Sequence, residues 1–199
     1  MGLAVLSVFI SQARNAALVV YLSALAISVA GLANAVDFLL AASQPSGTEL
    51  PLGLPWLGAH FRIDALSAFF LALINLGAAA ASLFAVGYGQ HEQNPGRVLP
   101  FYPAFLAGMN LVVLADDAFT FLFSWELMSL ASWALVMAHH KDAGNARAGF
   151  IYLVMASFGT AALLLAFGLL AGAEGDYVFA AIRERHHADL VSGLVLCSR

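Results

Sequence analysis

The chain has 199 residues, of which 62% are hydrophobic and only 10% charged, with a mean hydropathy of +0.87 and a formal net charge of -4. A soluble domain carries about 25% charged residues, so this composition cannot furnish a polar surface; it excludes a soluble globular domain and makes lipid the solvent for most of the chain. The small acidic charge leaves no basic footprint for nucleic acid, and a single cysteine, Cys197, excludes a disulfide framework, a CxxC metal site and a cysteine-ligated iron–sulfur cluster within one chain.

Residues 1–11 are an apolar stub too short to cross a bilayer, interrupted at Arg14 and Asn15. A crossing takes about 20 helical residues, and 16–42 is the first run of that length. The Pro- and Gly-rich stretch 43–63 reads as an extramembrane loop. Asp64 stands where an N-cap belongs, and 65–87 is a clean span with Asn75 near its middle. Residues 88–99 are polar, with Pro95-Gly96 as a turn, and 100–115 is a shorter span. Asp116-Asp117 marks the next break, because adjacent carboxylates belong at an interface. Span 118–138, loop 139–145 and span 146–172 follow. Residues 173–187 are polar, and the closing apolar run 190–197 is again too short to cross.

Continuous apolar runs, rather than ten-residue alternation, exclude a transmembrane β-barrel. The fold expected is an all-α, polytopic transmembrane helix bundle of about five to six spans plus a partial one, forming a single domain over 1–199. Arg14, Arg97, Lys141 and Arg147 fall on one side of this topology, and Arg62, Arg183 and Arg185 on the other. That bias favours a cytoplasmic 139–147 loop and an external 43–63 loop.

Charged side chains are nearly absent from the spans, and Glu126 stands out near mid-depth of the fourth run. An ionised acid there costs at least about 2.5–3.5 kcal/mol. Two readings are open. Glu126 is either a protonated carboxyl bonding a neighbouring helix, or a protonatable site in a proton path, where burial favours the neutral acid and a nearby cation the charged one. His139, His140 and Lys141, at the end of the same run, either feed protons toward it or anchor the helix at the interface. His186 and His187 have no third ligand, so no metal is expected. Asn75 and Asn110 are expected to hydrogen-bond between helices, and the small residues of 77–82 to allow close packing.

Residues 121–136 read Phe-Leu-Phe-Ser-Trp-Glu-Leu-Met-Ser-Leu-Ala-Ser-Trp-Ala-Leu-Val. This resembles the fifth transmembrane helix of the antiporter-like membrane subunits shared by respiratory complex I, Mrp-type sodium/proton antiporters and membrane-bound hydrogenases. A second segment, Arg62-Ile63-Asp64-Ala65-Leu66-Ser67-Ala68-Phe69-Phe70, is similar to the family's equivalent stretch, and the two agree in order and separation. Within the family, Glu126-Leu127-Met128-Ser129-Leu130-Ala131-Ser132-Trp133 looks most like hydrogenase-4 component B and formate hydrogenlyase subunit 3.

The resemblance implies proton translocation. The family's helix-5 glutamate, Glu126 here, pairs with a lysine on helix 7, and redox chemistry resides in other subunits. It therefore implies no catalytic residue, no cofactor and no redox centre in this chain. Its expected partners are protons, the lipid bilayer and the other membrane subunits of a hydrogenase or complex I-like assembly, in the cell inner (cytoplasmic) membrane. Nucleic acid is not among them. The sequence departs from the family in holding no lysine inside a span. Lys141 is the only lysine, and fifteen helical residues place it about 20 Å from Glu126. The chain is accordingly expected to correspond to the N-terminal part of a longer family member. A non-conducting structural remnant, an Mrp-type antiporter subunit and an unrelated small permease are the alternatives.

Overall fold

A computed structural model describes residues 2, 16–51, 58–89, 95–139, 143–172 and 177–184. Its helices are α1 (Ala16–Leu40), α2 (Ala65–Tyr88), α3 (Pro95–Val98), α4 (Phe101–Leu114), α5 (Ala118–Val136) and α6 (Ala143–Ala171). Five stretches are long and apolar enough to cross a membrane: Ala16–Leu40, Ala65–Tyr88, Pro95–Leu114, Ala118–Val136 and Gly144–Ala171. The chain is a multi-pass membrane protein with an all-α transmembrane bundle. The stub 1–11, except Gly2, and the run 190–197 lie outside the described residues.

Helix ends follow local chemistry. Asp64 caps α2 through a reciprocal pair: its carboxylate accepts from the Ser67 N–H at 2.9 Å, and its own N–H donates to Ser67 Oγ at 2.8 Å. Pro95, read from sequence as a turn, instead opens the short helix α3, since its missing N–H and fixed φ suit a first helical position. Gly172, with φ of 63°, ends α6 in the left-handed conformation that glycine adopts without strain.

Small side chains set the packing. On α2 the buried residues Ala68, Leu71, Asn75, Ala78 and Ser82 recur at alternating steps of three and four, one seam that meets α1 at Gly31 and α4 at Tyr102 and Asn110. Gly77 lies off this seam, with nothing within 4 Å of an added Cβ, so the close packing expected of 77–82 rests on Ala78 and Ser82. Asn75 donates across to Asn110 Oδ1 on α4 at 2.7 Å, the interhelical bond expected. Its amide also requires Gly31 on α1, where a Cβ would stand 2.7 Å from Asn75 Oδ1. Between α4 and α5, a Cβ at Gly108 would lie 2.9 Å from Met128 Cα, so the two backbones touch there.

The stretch 43–63 is a correction. It holds an antiparallel hairpin of β1 (Ser46–Leu50) and β2 (Ala59–Ile63), in register from Ser46 opposite Ile63 to Leu50 opposite Ala59. Prolines and glycines mark the stretch as extramembrane, but an isolated hairpin is marginal in water. This one gains a third segment. Phe61 bridges Ala115, and the Asp116 N–H donates to the His60 carbonyl at 2.9 Å. Successive crossings put the hairpin, residues 115–117 and the segment after α6 on one membrane face. There Asp117 bridges Val178, the Ala118 N–H donates to the Tyr177 carbonyl, and the Phe179 N–H donates to the Asp116 carbonyl. Residues 179–184, expected to be polar linker, are a helical turn.

Candidate functional site

Glu126 is the ninth residue of α5, about 13 Å along the helix from Asp117 at 1.5 Å per residue. Its depth is that of the membrane interior, whereas Asp37, the acid on α1, sits in that helix's last turn. Facing is decided by packing. Thr120, Ser124 and Ala131 are buried on one stripe of α5, and the partly buried Met128 on the same stripe lies against Gly108 of α4. Two residues rotate a helix by about 200°, so Glu126 turns away from α4 and toward α6. There its Oε1 accepts a hydrogen bond from the Thr160 hydroxyl. The resemblance leaves Glu126 without the family's lysine partner in this chain; Thr160 supplies a hydrogen bond from the neighbouring helix, though no charge. The same hydroxyl lies 3.2 Å from the Ala156 carbonyl oxygen.

An aromatic layer separates Glu126 from the hairpin face. Phe121 stacks on Trp125 with centroids 6.0 Å apart, meets Phe167 of α6 edge-on at 5.7 Å, and meets Phe179 at 6.4 Å. Phe167 and Phe179 close the group at 5.5 Å. These four rings pack the α5–α6 seam on that side of the acid, and among them the buried Trp125 N–H makes no hydrogen bond.

Beyond the rings lies a polar clasp. Asp117, fully buried, is the N-cap of α5. Its carboxylate accepts from the Thr120 N–H at 2.7 Å, the Thr120 hydroxyl at 2.6 Å and the His60 N–H at 2.8 Å. The Arg62 side chain joins Asp116 Oδ1 at 3.0 Å to Asp64 Oδ2 at 3.3 Å, tying the N-termini of α2 and α5 together. The Ser67 N–H holds the Asp64 carboxyl below its usual range against the opposing effect of burial, with help from Arg62. His60 Nδ1 stands 3.4 Å from Asp117 Oδ2, close enough for charge attraction were the ring protonated, but it makes no hydrogen bond. His60 Nε2 is 3.8 Å from Glu49 Oε2.

Of the residues picked from sequence for proton entry, only His139 falls among the described residues. His139 ends a short 3-10 turn, Met137–His139, thirteen residues on, about 20 Å away along the helix. His140 and Lys141 lie outside the described residues. Sequence reasoning passed over Thr160, since a threonine in an apolar run satisfies itself on its own backbone. It also read Asp116-Asp117 as a mere break, although Asp117 and Thr120 have the spacing of a cap and its third helical residue.

A polytopic bundle with a half-buried acid at mid-depth and a polar clasp on one face defines a membrane subunit rather than a soluble enzyme. Residues 115–198 match the family model described as NADH:quinone oxidoreductase/Mrp antiporter, TM. An uncharacterised protein of Mycobacterium tuberculosis is 39% identical over 130 residues, covering 65% of this chain and 20% of that protein. Hydrogenase-4 component B of Escherichia coli is 34% identical over 124 residues, covering 61% of this chain and 18% of the relative. In the solved structure of the membrane-bound sulfane sulfur reductase, an archaeal respiratory membrane complex, one chain shares the fold. Its TM-score is 0.70 over 91% of this chain and 38% of that one, at 18% identity. Through residues 115–198, the chain belongs to the antiporter-like membrane-subunit family of complex I, Mrp antiporters and membrane-bound hydrogenases. It spans about a fifth of the length of these curated relatives.

Proposed function

We propose that this chain is a proton-translocating membrane subunit, or the N-terminal part of one, in a hydrogenase-4/formate hydrogenlyase-type or complex I-type oxidoreductase complex of the inner (cytoplasmic) membrane. It couples electron transfer in neighbouring subunits to proton movement and carries no redox centre itself. The observation that carries the reading is Glu126, a half-buried carboxyl at mid-depth, bonded to a hydroxyl rather than locked in an ion pair. A salt-bridged acid would be held charged; a hydroxyl can hydrogen-bond either protonation state. The relative named as a hydrogenase-4 component and the family model support the class of complex. A cation that drives Glu126 between its states would come from a further helix of the assembly. At about 4 Å and an effective dielectric near 20, its approach changes the energy by about 4 kcal/mol, enough to load or release a proton.

The test is Glu126→Gln in the assembled complex, with assembly followed by co-purification and proton uptake compared with electron transfer in sealed vesicles. Assembly should persist while the proton-to-electron ratio falls. Equal ratios in wild type and variant would reduce Glu126 to a packing residue and favour the non-conducting reading.

A further inference from the structure

The Thr160 hydroxyl has two acceptors in reach, Glu126 Oε1 across the helix seam and the Ala156 carbonyl on its own helix. A hydroxyl carries one proton, so at any moment it serves one of them fully, but its oxygen can also accept. We infer that Thr160 is the positioning residue of the proton site, a rotor that keeps Glu126 hydrogen-bonded in both of its protonation states. When Glu126 is ionised, Thr160 donates to Oε1. When a proton arrives on the carboxylate, the new O–H donates to Thr160 Oγ1, and the hydroxyl proton turns to the Ala156 carbonyl. No covalent bond to threonine forms and no backbone moves. The proton gained by Glu126 is the only one transferred.

Three observations meet here. Oγ1 lies in reach of both acceptors in one side-chain conformation, so only the O–H turns about the Cβ–Oγ1 bond and no rotamer changes. On the hairpin side, Phe121, Trp125, Phe167 and Phe179 pack against one another in the seam. A polar group left without a partner in such surroundings is costly, so each protonation state needs its hydrogen bond from protein. Finally, no residue of α6's most apolar stretch is fully buried, against 22–28% in the other spans. A hydroxyl at this point therefore does little for packing, and its value lies in the bond to Glu126.

The inference rests on Glu126 being the proton site, and its experiment separates the two. The chain reconstituted in liposomes is examined by infrared spectroscopy at acid pH. The carboxyl C=O band of Glu126 is identified by its loss in Glu126→Gln. Thr160→Val, nearly isosteric and β-branched, should move that band to higher wavenumber as the hydrogen bond is lost, and Thr160→Ser should return it. An unmoved band in Thr160→Val, or a Ser variant that behaves like Val, would overturn the inference. In the assembled complex, Thr160→Val should lower proton uptake per electron roughly tenfold or more, the loss expected for one charge-assisted bond, with Thr160→Ser within about twofold of wild type. Wild-type coupling in Thr160→Val would also overturn it. A band that moves while Glu126→Gln pumps normally would keep the rotor and sink the proton path. A band that stays while Glu126→Gln fails to pump would do the reverse.

Discussion

Replacing Asp117 with alanine should destabilise this protein far more than replacing Asp64, although both carboxylates cap helices. Losing a helix N-cap costs about 1 kcal/mol in the ordinary case, and that is the expectation for Asp64→Ala. Asp64 is partly exposed, so water can replace the lost carboxylate. Asp117 is fully buried and holds three donors on three sides: the Thr120 N–H, the Thr120 hydroxyl and the His60 N–H of the hairpin. The hydroxyl can turn elsewhere, but the two N–H groups cannot. Leaving each without an acceptor costs about 1–3 kcal/mol, so the expected total for the two is about 2–6 kcal/mol. The assay is unfolding in mixed detergent micelles, followed by helical circular dichroism, for wild type, Asp117→Ala and Asp64→Ala. Limited proteolysis across 46–63 adds a local readout, because the hairpin loses a tie to α5 and should be cut faster only in Asp117→Ala. Equal destabilisation by the two variants, or an unchanged cleavage rate, would refute the account of the clasp.

Gly108→Ala should weaken the fold by about 1–3 kcal/mol, since its Cβ would meet the Met128 backbone at 2.9 Å. Gly77→Ala, with open space around it, should be neutral or slightly stabilising in the same unfolding titration. The Ser67 N–H, helped by Arg62, holds the folded pKa of Asp64 below that of an ordinary aspartate, so its carboxylate contributes stability above the ordinary value, and the contribution fades as pH falls through the lower folded pKa. The stability gap between wild type and Asp64→Asn should therefore be full at neutral pH and close in strong acid; a gap independent of pH would contradict the cap. In a Cys197→Ser background, cysteines placed at Gly47 and Gly144 should react with impermeant reagents from opposite sides of the membrane. Position 47 is expected outside and position 144 in the cytoplasm, and labelling of both from one side would break the topology.

The crossings were legible because a bilayer imposes one rule: every stretch inside it must be long, apolar and helical. The Asp64 cap was legible because its partner, Ser67, is three residues away and inside the same motif. The hairpin was not. Three prolines and three glycines break up the 21 residues of 43–63, and the segment that makes its second strand worth forming, residues 115–117, is more than fifty positions later. What sequence shows well is a contact made within one turn of helix. A contact between chain segments on the same membrane face becomes visible only once the spans have been assembled.

Glu126 illustrates the same limit inside the membrane. Its cost in lipid marks it as an oddity from sequence alone, but α5 is apolar almost all round and gives no polar face to aim it. The direction comes from another helix. Gly108 lets the α4 backbone rest on Met128, and that contact fixes the rotation of α5 and turns position 126 toward Thr160. A larger residue at 108 would push α5 outward, and the separation or rotation of the two helices would have to change. Glu126 would then lose its hydroxyl partner without any change in its own helix. The residue that aims the acid therefore does not touch it, and a packing defect between α4 and α5 should disturb the hydrogen bond between α5 and α6. Gly108→Ala thus has a second readout: the Glu126 carboxyl band should shift in the same sense as in Thr160→Val. Gly77→Ala should leave the band where it is, and a shift of equal size there would mean that any disturbance of the bundle moves it.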